Sequence, residues 1–276
     1  MLNLLFLTYP IDKGVFRGQV PVMAAPLKLV DPNETERLDL DALNTELADA
    51  SAEDVLEWAR NTFGDDLVIT SSFGSDSAVM LHLVHRIAPR TRVLFLDTGY
   101  LFPETYQFAE ELRKRFELDI RVYAPAITAA RQEALFGKLY EGGESDLAEY
   151  QRINKIEPMD RALRELAPRA WLAGLRSRQT AFRAGLKKID LQGNVYKIHP
   201  ILSWTDEELH HYMRANDLPY HPLRKRGYRS IGDVHSTQPT REGEDARAGR
   251  RLGVHSECGI HLPRAATDES LKSSGL

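Results

Sequence analysis

At 276 residues, with 42% hydrophobic and 28% charged side chains, the chain is long enough to bury a sizeable core and has neither a disordered nor a membrane-type composition. Its formal charge of -4 argues against a general nucleic-acid binder, while leaving room for local basic clusters around a small polyanion. The one cysteine, Cys258, excludes an intramolecular disulfide and any iron–sulfur cluster held by four thiols of one chain, and such usage fits a reducing compartment.

Residues 1–37 lack a sustained hydrophobic period and read as an N-terminal extension. The opening MLNLLFLTYP has no basic residue ahead of its apolar run and no small-residue cleavage pattern soon after it. No secretory leader and no membrane span are expected, and the expected location is cytoplasmic. From Leu38 to Phe63 the pattern is helical, with Ser51 and Asp54 spaced as a capping pair, Val55, Leu56 and Ala59 on one face, and Gly64 as the stop. Asp66 to Ser71 is a short β-branched run that predicts a buried parallel strand. Ala78 to Ile87 then predicts a helix ended by Pro89, and Arg92 to Leu96 the next strand, which completes a βαβ unit.

Asp97 and Thr98 fall where that strand ends, and Pro103 suits the first turn of another helix. Strands are expected at 119–123, 170–175 and 195–201, a helix at 157–167, and a further helix capped by Thr205 with Glu208. His210 and His211 lie on that last helix and carry no catalytic role in this reading. The alternation predicts an α/β fold: an open, mostly parallel twisted sheet with helices on both faces, spanning 38–218 as a nucleotide-binding domain. Residues 219–276 are rich in Pro, Gly, Arg and His and lose periodicity, so they are expected to form a mobile C-terminal tail carrying Cys258.

Two stretches carry chemistry. Ser71, Ser72, Phe73, Gly74, Ser75, Asp76 and Ser77 follow a predicted strand and open a predicted helix, where backbone N–H groups and hydroxyls hold an anion. The loop lacks the Walker ending Gly-Lys-Ser/Thr, and read alone it is equally an ordinary serine-rich turn. The second stretch is ECGIH at 257–261, with His255 and His261 each three residues from Cys258. On these residues alone the thiol is a filler, a metal ligand or a nucleophile.

The loop resembles the SGGxDS signature of the PP-loop ATP pyrophosphatase superfamily, with Ser72, Gly74, Asp76 and Ser77 matching and Phe73 replacing a glycine. Together with DTGYLFPETY at 97–106, GLRSRQTAFR at 174–183, YRSIGDVHSTQPTREGEDARAGR at 228–250 and ECGIH, the chain resembles the adenylyl-sulfate and phosphoadenylyl-sulfate (PAPS) reductases of sulfate assimilation. The positions that align with that family's four cluster thiols are Tyr150, Gln151, Asp233 and Ser236. The resemblance therefore implies the cluster-free branch, with no metal and no tightly bound cofactor.

It implies further that Cys258 attacks the sulfur of PAPS to give an S-sulfocysteine, with His261 as a second catalytic group. Lys155, Gly174, Arg176, Arg183, Arg247 and Arg250 would join the 71–77 loop in binding substrate. Thioredoxin or glutaredoxin would supply the second thiol, in the route to cysteine biosynthesis. A cluster-free adenylyl-sulfate reductase and a PP-loop ATP pyrophosphatase or adenylyltransferase are the alternatives. The oligomeric state is left open, a homo-oligomer included.

Overall fold

A computed structural model describes residues 37–241, 243–250 and 259–261. The elements below all belong to the compact unit Asp39–Leu276. Helix α1 (Leu40–Glu46) starts at Asp39, whose carboxylate accepts from the N–H groups of Asp41 and Ala42. Helix α2 (Ala52–Phe63) starts at the reciprocal Ser51–Asp54 capping box that the spacing predicts, and it ends at Gly64 with φ at +54°. There follow β1 (Leu67–Ser71), α3 (Ser77–Ile87), β2 (Arg92–Leu96), α4 (Pro103–Arg115) with Pro103 in its first turn, and β3 (Ile120–Tyr123).

Next come α5 (Ala129–Phe136), α6 (Glu144–Gln151) and α7 (Glu157–Leu166), then β4 (Ala170–Ala173), α8 (Ala181–Ala184), β5 (Ile189–Gln192), β6 (Val195–Ile198) and α9 (Asp206–Ala215). The last helix begins at the Thr205–Glu208 capping box. Among the described residues no helix is long and apolar enough to cross a membrane.

The strands form one six-stranded sheet in the order β3-β2-β1-β4-β6-β5. All neighbours are parallel except β5 and β6, which form an antiparallel hairpin at one edge. The alternation predicts the parallel part. It does not reveal β5, because Ile189–Gln192 is four residues long and half polar; Gly193 at φ +64° turns it into β6.

Val68 on β1, Leu94 on β2 and Trp171 on β4 face α7, where Met159 and Ala162 close a cluster that also takes in Ile260. Leu67 and Ile69 alternate to the opposite face. There α2 packs on β1 and on α3, and α9 packs on α3. Helix α6 continues into α7 through a π-helical turn at Arg152–Ile156. Pro158 has no N–H to close an α-helical turn on the carbonyl four residues back, and the widened turn lies just ahead of it.

Among the described residues, the segment after residue 218 adds no strand to the sheet. Its described part is packed across the end of the sheet, with Leu223, Ile231 and Asp233 buried and an antiparallel bridge between Leu101 and Asp233. The expected mobility of the stretch around Cys258 falls outside the described residues, as does the extension before residue 37.

Candidate active site

Strand order reverses direction between β1 and β4, so the loops leaving these two neighbours run to opposite sides and open a crevice at their C-terminal ends. A cavity of about 480 Å³ occupies it, a size suited to a nucleotide. Its wall includes six of the seven predicted loop residues (Ser71, Ser72, Gly74, Ser75, Asp76 and Ser77) and also Lys155, Gly174, Arg176, Arg183, Arg247, Arg250 and His261. Cys258 lies outside the described residues.

Phe73 is the exception in the loop. Its side chain is fully buried and meets the Phe95 ring edge-on at 4.8 Å, pointing away from the cavity, so it offers the site no side-chain contact. Its φ of +48° explains why glycine stands here in the pattern that the loop resembles. A left-handed backbone costs a non-glycine residue about 1–2 kcal/mol, which burial of an aromatic ring offsets. Gly74 has its own reason: a Cβ there would stand 3.3 Å from the Ile231 carbonyl oxygen. Inside the loop the Phe73 N–H donates to Ser71 Oγ at 3.1 Å and Ser77 Oγ donates to the Gly74 carbonyl at 2.9 Å.

Asp76 precedes α3, yet its carboxylate does not cap the helix. It accepts instead from Arg224 Nη1 at 3.1 Å and faces Arg176 Nη2 at 3.8 Å. Arg176 is buried and donates from Nη1 to Asp206 Oδ1 at 2.6 Å. Burial works to raise the Asp206 carboxyl, but the guanidinium outweighs it and the group stays below the usual carboxylate range.

Arg224 also donates to Ser75 Oγ at 2.8 Å and to His210 Nε2 at 2.8 Å, which leaves the His210 proton on Nδ1. Burial, then the Arg224 charge, hold that imidazole below its ordinary value. His210 is thus a wall residue of the cavity. Arg183 is buried and donates to Gln179 Oε1.

Lys155 sits on the π-helical turn and its ammonium meets Asp233 Oδ2 at 2.6 Å. Asp233 Oδ1 accepts from Thr98 Oγ1 at 2.6 Å. Burial of Asp233 works against ionisation, yet Lys155 and Thr98 prevail and lower its pKa to about 2. His261 is half-buried and stacks on Trp171 at 6.0 Å, with its Nδ1 shielded from solvent and without a hydrogen-bond partner. Desolvation, then the charges of Lys197 and Arg183, keep it well below the ordinary histidine value, hence neutral. The adjoining Ile260 carbonyl accepts from Gln192 Nε2 at 3.0 Å, which ties this segment to the β5–β6 hairpin.

Three of the four positions aligned with cluster thiols are filled by buried side chains. Tyr150, Asp233 and Ser236 are buried, and Tyr150 Oη lies 2.9 Å from His235 Nε2. The His235 ring stacks on Tyr140 at 3.9 Å. Among the described residues no group of three or more His, Cys, Asp or Glu side chains could hold a metal. Sequence reasoning missed Arg224, Asp206 and Asp233 as wall residues. Arg224 belongs to a basic run with no motif, and the two carboxylates acquire meaning only from partners 30 and 78 positions away.

A model of the phosphoadenosine phosphosulfate reductase domain matches residues 66–239. The phosphoadenosine 5'-phosphosulfate reductase of Synechocystis sp. is 49% identical over 243 residues, covering 87% of this chain and 98% of that protein. That of Photobacterium profundum is 45% identical over 233 residues, covering 84% and 92%. The crystal structure of the PAPS reductase from Candida auris, a phosphate complex, superposes with a TM-score of 0.64 at 31% identity, covering 72% of this chain and 96% of that one. The FMN adenylyltransferase of Candida glabrata, at 16% identity and a TM-score of 0.53, shares the fold alone. With the family domain spanning the sheet, the serine-rich loop and the Asp233 turn, and with relatives of nearly half identity over almost their full length, the chain belongs to the phosphoadenosine phosphosulfate reductase family and is an oxidoreductase of that family.

Proposed function

We propose that this chain reduces 3'-phosphoadenylyl sulfate to sulfite and adenosine 3',5'-bisphosphate, with Cys258 as nucleophile and thioredoxin or glutaredoxin as the external reductant. The observation that carries the reading is a nucleotide-sized cavity at the sheet's switch point. Its wall gathers Lys155, Arg176, Arg183 and Arg224 and reaches His261, three residues from the one cysteine. Relatives that bear the name of this reductase support the choice of substrate.

In the first step the Cys258 thiolate attacks the sulfonyl sulfur, a sulfur–sulfur bond forms, and the bridging sulfur–oxygen bond breaks. Its electron pair leaves on the phosphate of adenosine 3',5'-bisphosphate. Nucleophile, sulfonyl oxygens and leaving group are all anionic, so cations fixed in a closed site stabilise the step by several kcal/mol. Arginines grip the phosphate by two-point contact, and neutral His261 offers a hydrogen bond with no second charge. A reductant thiolate then attacks Cys258 Sγ and releases sulfite with the bonding pair. Its second thiol resolves the mixed disulfide. The sulfur gains two electrons and the partner dithiol loses two. Such a partner belongs to a reducing compartment such as the cytoplasm.

The test is incubation with PAPS in the absence of thioredoxin, followed by mass analysis of the Cys258 peptide. A sulfonate adduct that is absent from Cys258→Ser is the expected result. Adduct formation only with adenylyl sulfate would overturn the substrate assignment. Magnesium-dependent pyrophosphate release from ATP, indifferent to Cys258→Ser, would overturn the reductase mechanism.

A further inference from the structure

We propose that Asp233, held by Thr98, is a positioning residue that fixes the Lys155 ammonium at the cavity wall; the proposal rests on the sulfonucleotide reading of that cavity. A carboxylate that is 1% exposed at the wall of an anion site works against substrate affinity. What it offers in return is geometry. Lysine is a point charge on a flexible four-carbon stem, and an unpaired ammonium samples many rotamers. Here it is bound at 2.6 Å to Asp233 Oδ2, while Oδ1 takes the Thr98 hydroxyl at 2.6 Å.

The carboxylate is itself fixed from both sides. The Val234 N–H donates to the Tyr100 carbonyl at 2.8 Å, and the Leu101–Asp233 bridge joins this turn to the loop after β2, which carries Thr98. Behind the pair, Tyr150 places its ring 5.7 Å from the ammonium. Lys155, Asp233 and Thr98 all open onto the cavity, so the pair is no remote strut. The ammonium therefore stands where the wall places it before substrate arrives, and the negative charge beside it restrains affinity for the bound anion.

This makes affinity and chemistry respond in opposite directions. Asp233→Asn removes one negative charge and frees Lys155. Binding of adenosine 3',5'-bisphosphate, read by calorimetry, should stay unchanged or tighten, by up to about tenfold. Single-turnover adduct formation on Cys258 with saturating PAPS should slow by at least about tenfold. Thr98→Val keeps the charge and releases only one carboxylate oxygen, so affinity should not change while adduct formation slows about three- to tenfold.

Adduct formation within about twofold of the parent in Asp233→Asn would overturn the proposal, as would a parallel loss of affinity and rate in both variants. If Asp233→Asn does not fold, Thr98→Val decides by the same two readings. A parent enzyme that forms no adduct would overturn the sulfonucleotide reading instead, and the calorimetric arm would still report the charge of Asp233.

Discussion

Replacing Lys155 by methionine keeps an unbranched side chain of similar reach and strands the Asp233 carboxylate. At 2.6 Å the pair attracts with about 6 kcal/mol for an effective dielectric constant of about 20. Breaking a buried pair from one side costs about 3–5 kcal/mol. Asp233 limits that cost by taking a proton, since burial is the largest influence on it and favours the neutral acid once Lys155 is gone. Against the ordinary carboxylate value of 3.8, neutralising the group at pH 7 costs about 4 kcal/mol, and about 2 kcal/mol at pH 5.

The sign follows from the protons bound. The native variant holds a proton on Asp233 that the unfolded chain has released, so its stability falls as pH rises. In the parent the folded pKa of about 2 lies below the unfolded value of 3.8, and the stabilisation it represents is present above about pH 4 and lost toward pH 2. Urea unfolding of Lys155→Met should show a loss of about 4 kcal/mol at pH 7 and about half that at pH 5. The double variant Lys155→Met/Asp233→Asn strands no charge and should recover to within about 1 kcal/mol of the parent without regaining turnover. A single variant that loses less than about 1 kcal/mol at pH 7, or a double variant no more stable than the single, would refute the reasoning.

Two further predictions concern the fold and the loop. His199 and His221 are fully buried and pushed down to about 4, by desolvation in both cases. The unfolded chain binds protons near pH 6.5 that the native one does not, so stability should drop by about 2 kcal/mol per histidine between pH 7 and pH 5. His199→Gln should flatten that slope, and a urea midpoint constant across this range would count against both assignments. In the loop, Gly74→Ala sets a Cβ against a backbone carbonyl at 3.3 Å, whereas Gly174→Ala meets the flexible Met80 side chain at 3.0 Å. Calorimetry with adenosine 3',5'-bisphosphate should show about a tenfold loss of affinity for the former and under about threefold for the latter; the reverse order would show that the Ile231 carbonyl yields.

Helix starts at Ser51, Pro103 and Thr205 were legible because capping and the constraint of proline act within one turn of chain. The five parallel strands were legible as short β-branched and apolar runs between turn signals. The β5 edge strand was not, since its four residues are half polar and lack a β-branched apolar run. The helices α5 and α6, with the π-helical turn after them, were missed as well. Hydrophobic period weakens where a helix covers polar side chains such as Gln132 and Asn154, both buried and hydrogen-bonded to each other.

By itself the amino-acid sequence determined that this chain has a serine- and glycine-rich loop at a strand–helix junction, one thiol, and no set of cysteines for a cluster. Those are matters of composition and of contacts between near neighbours. Tertiary structure alone decided which way each group faces. Phe73 stands in the loop and yet turns into the core, His210 turns from a helix into the cavity, and Asp233, an aspartate in a Gly-rich stretch, becomes the buried partner of Lys155. The reason is that a charge–charge contact depends on distance in space and on exclusion of water, and two residues 78 positions apart acquire both only when the chain folds across the end of the sheet.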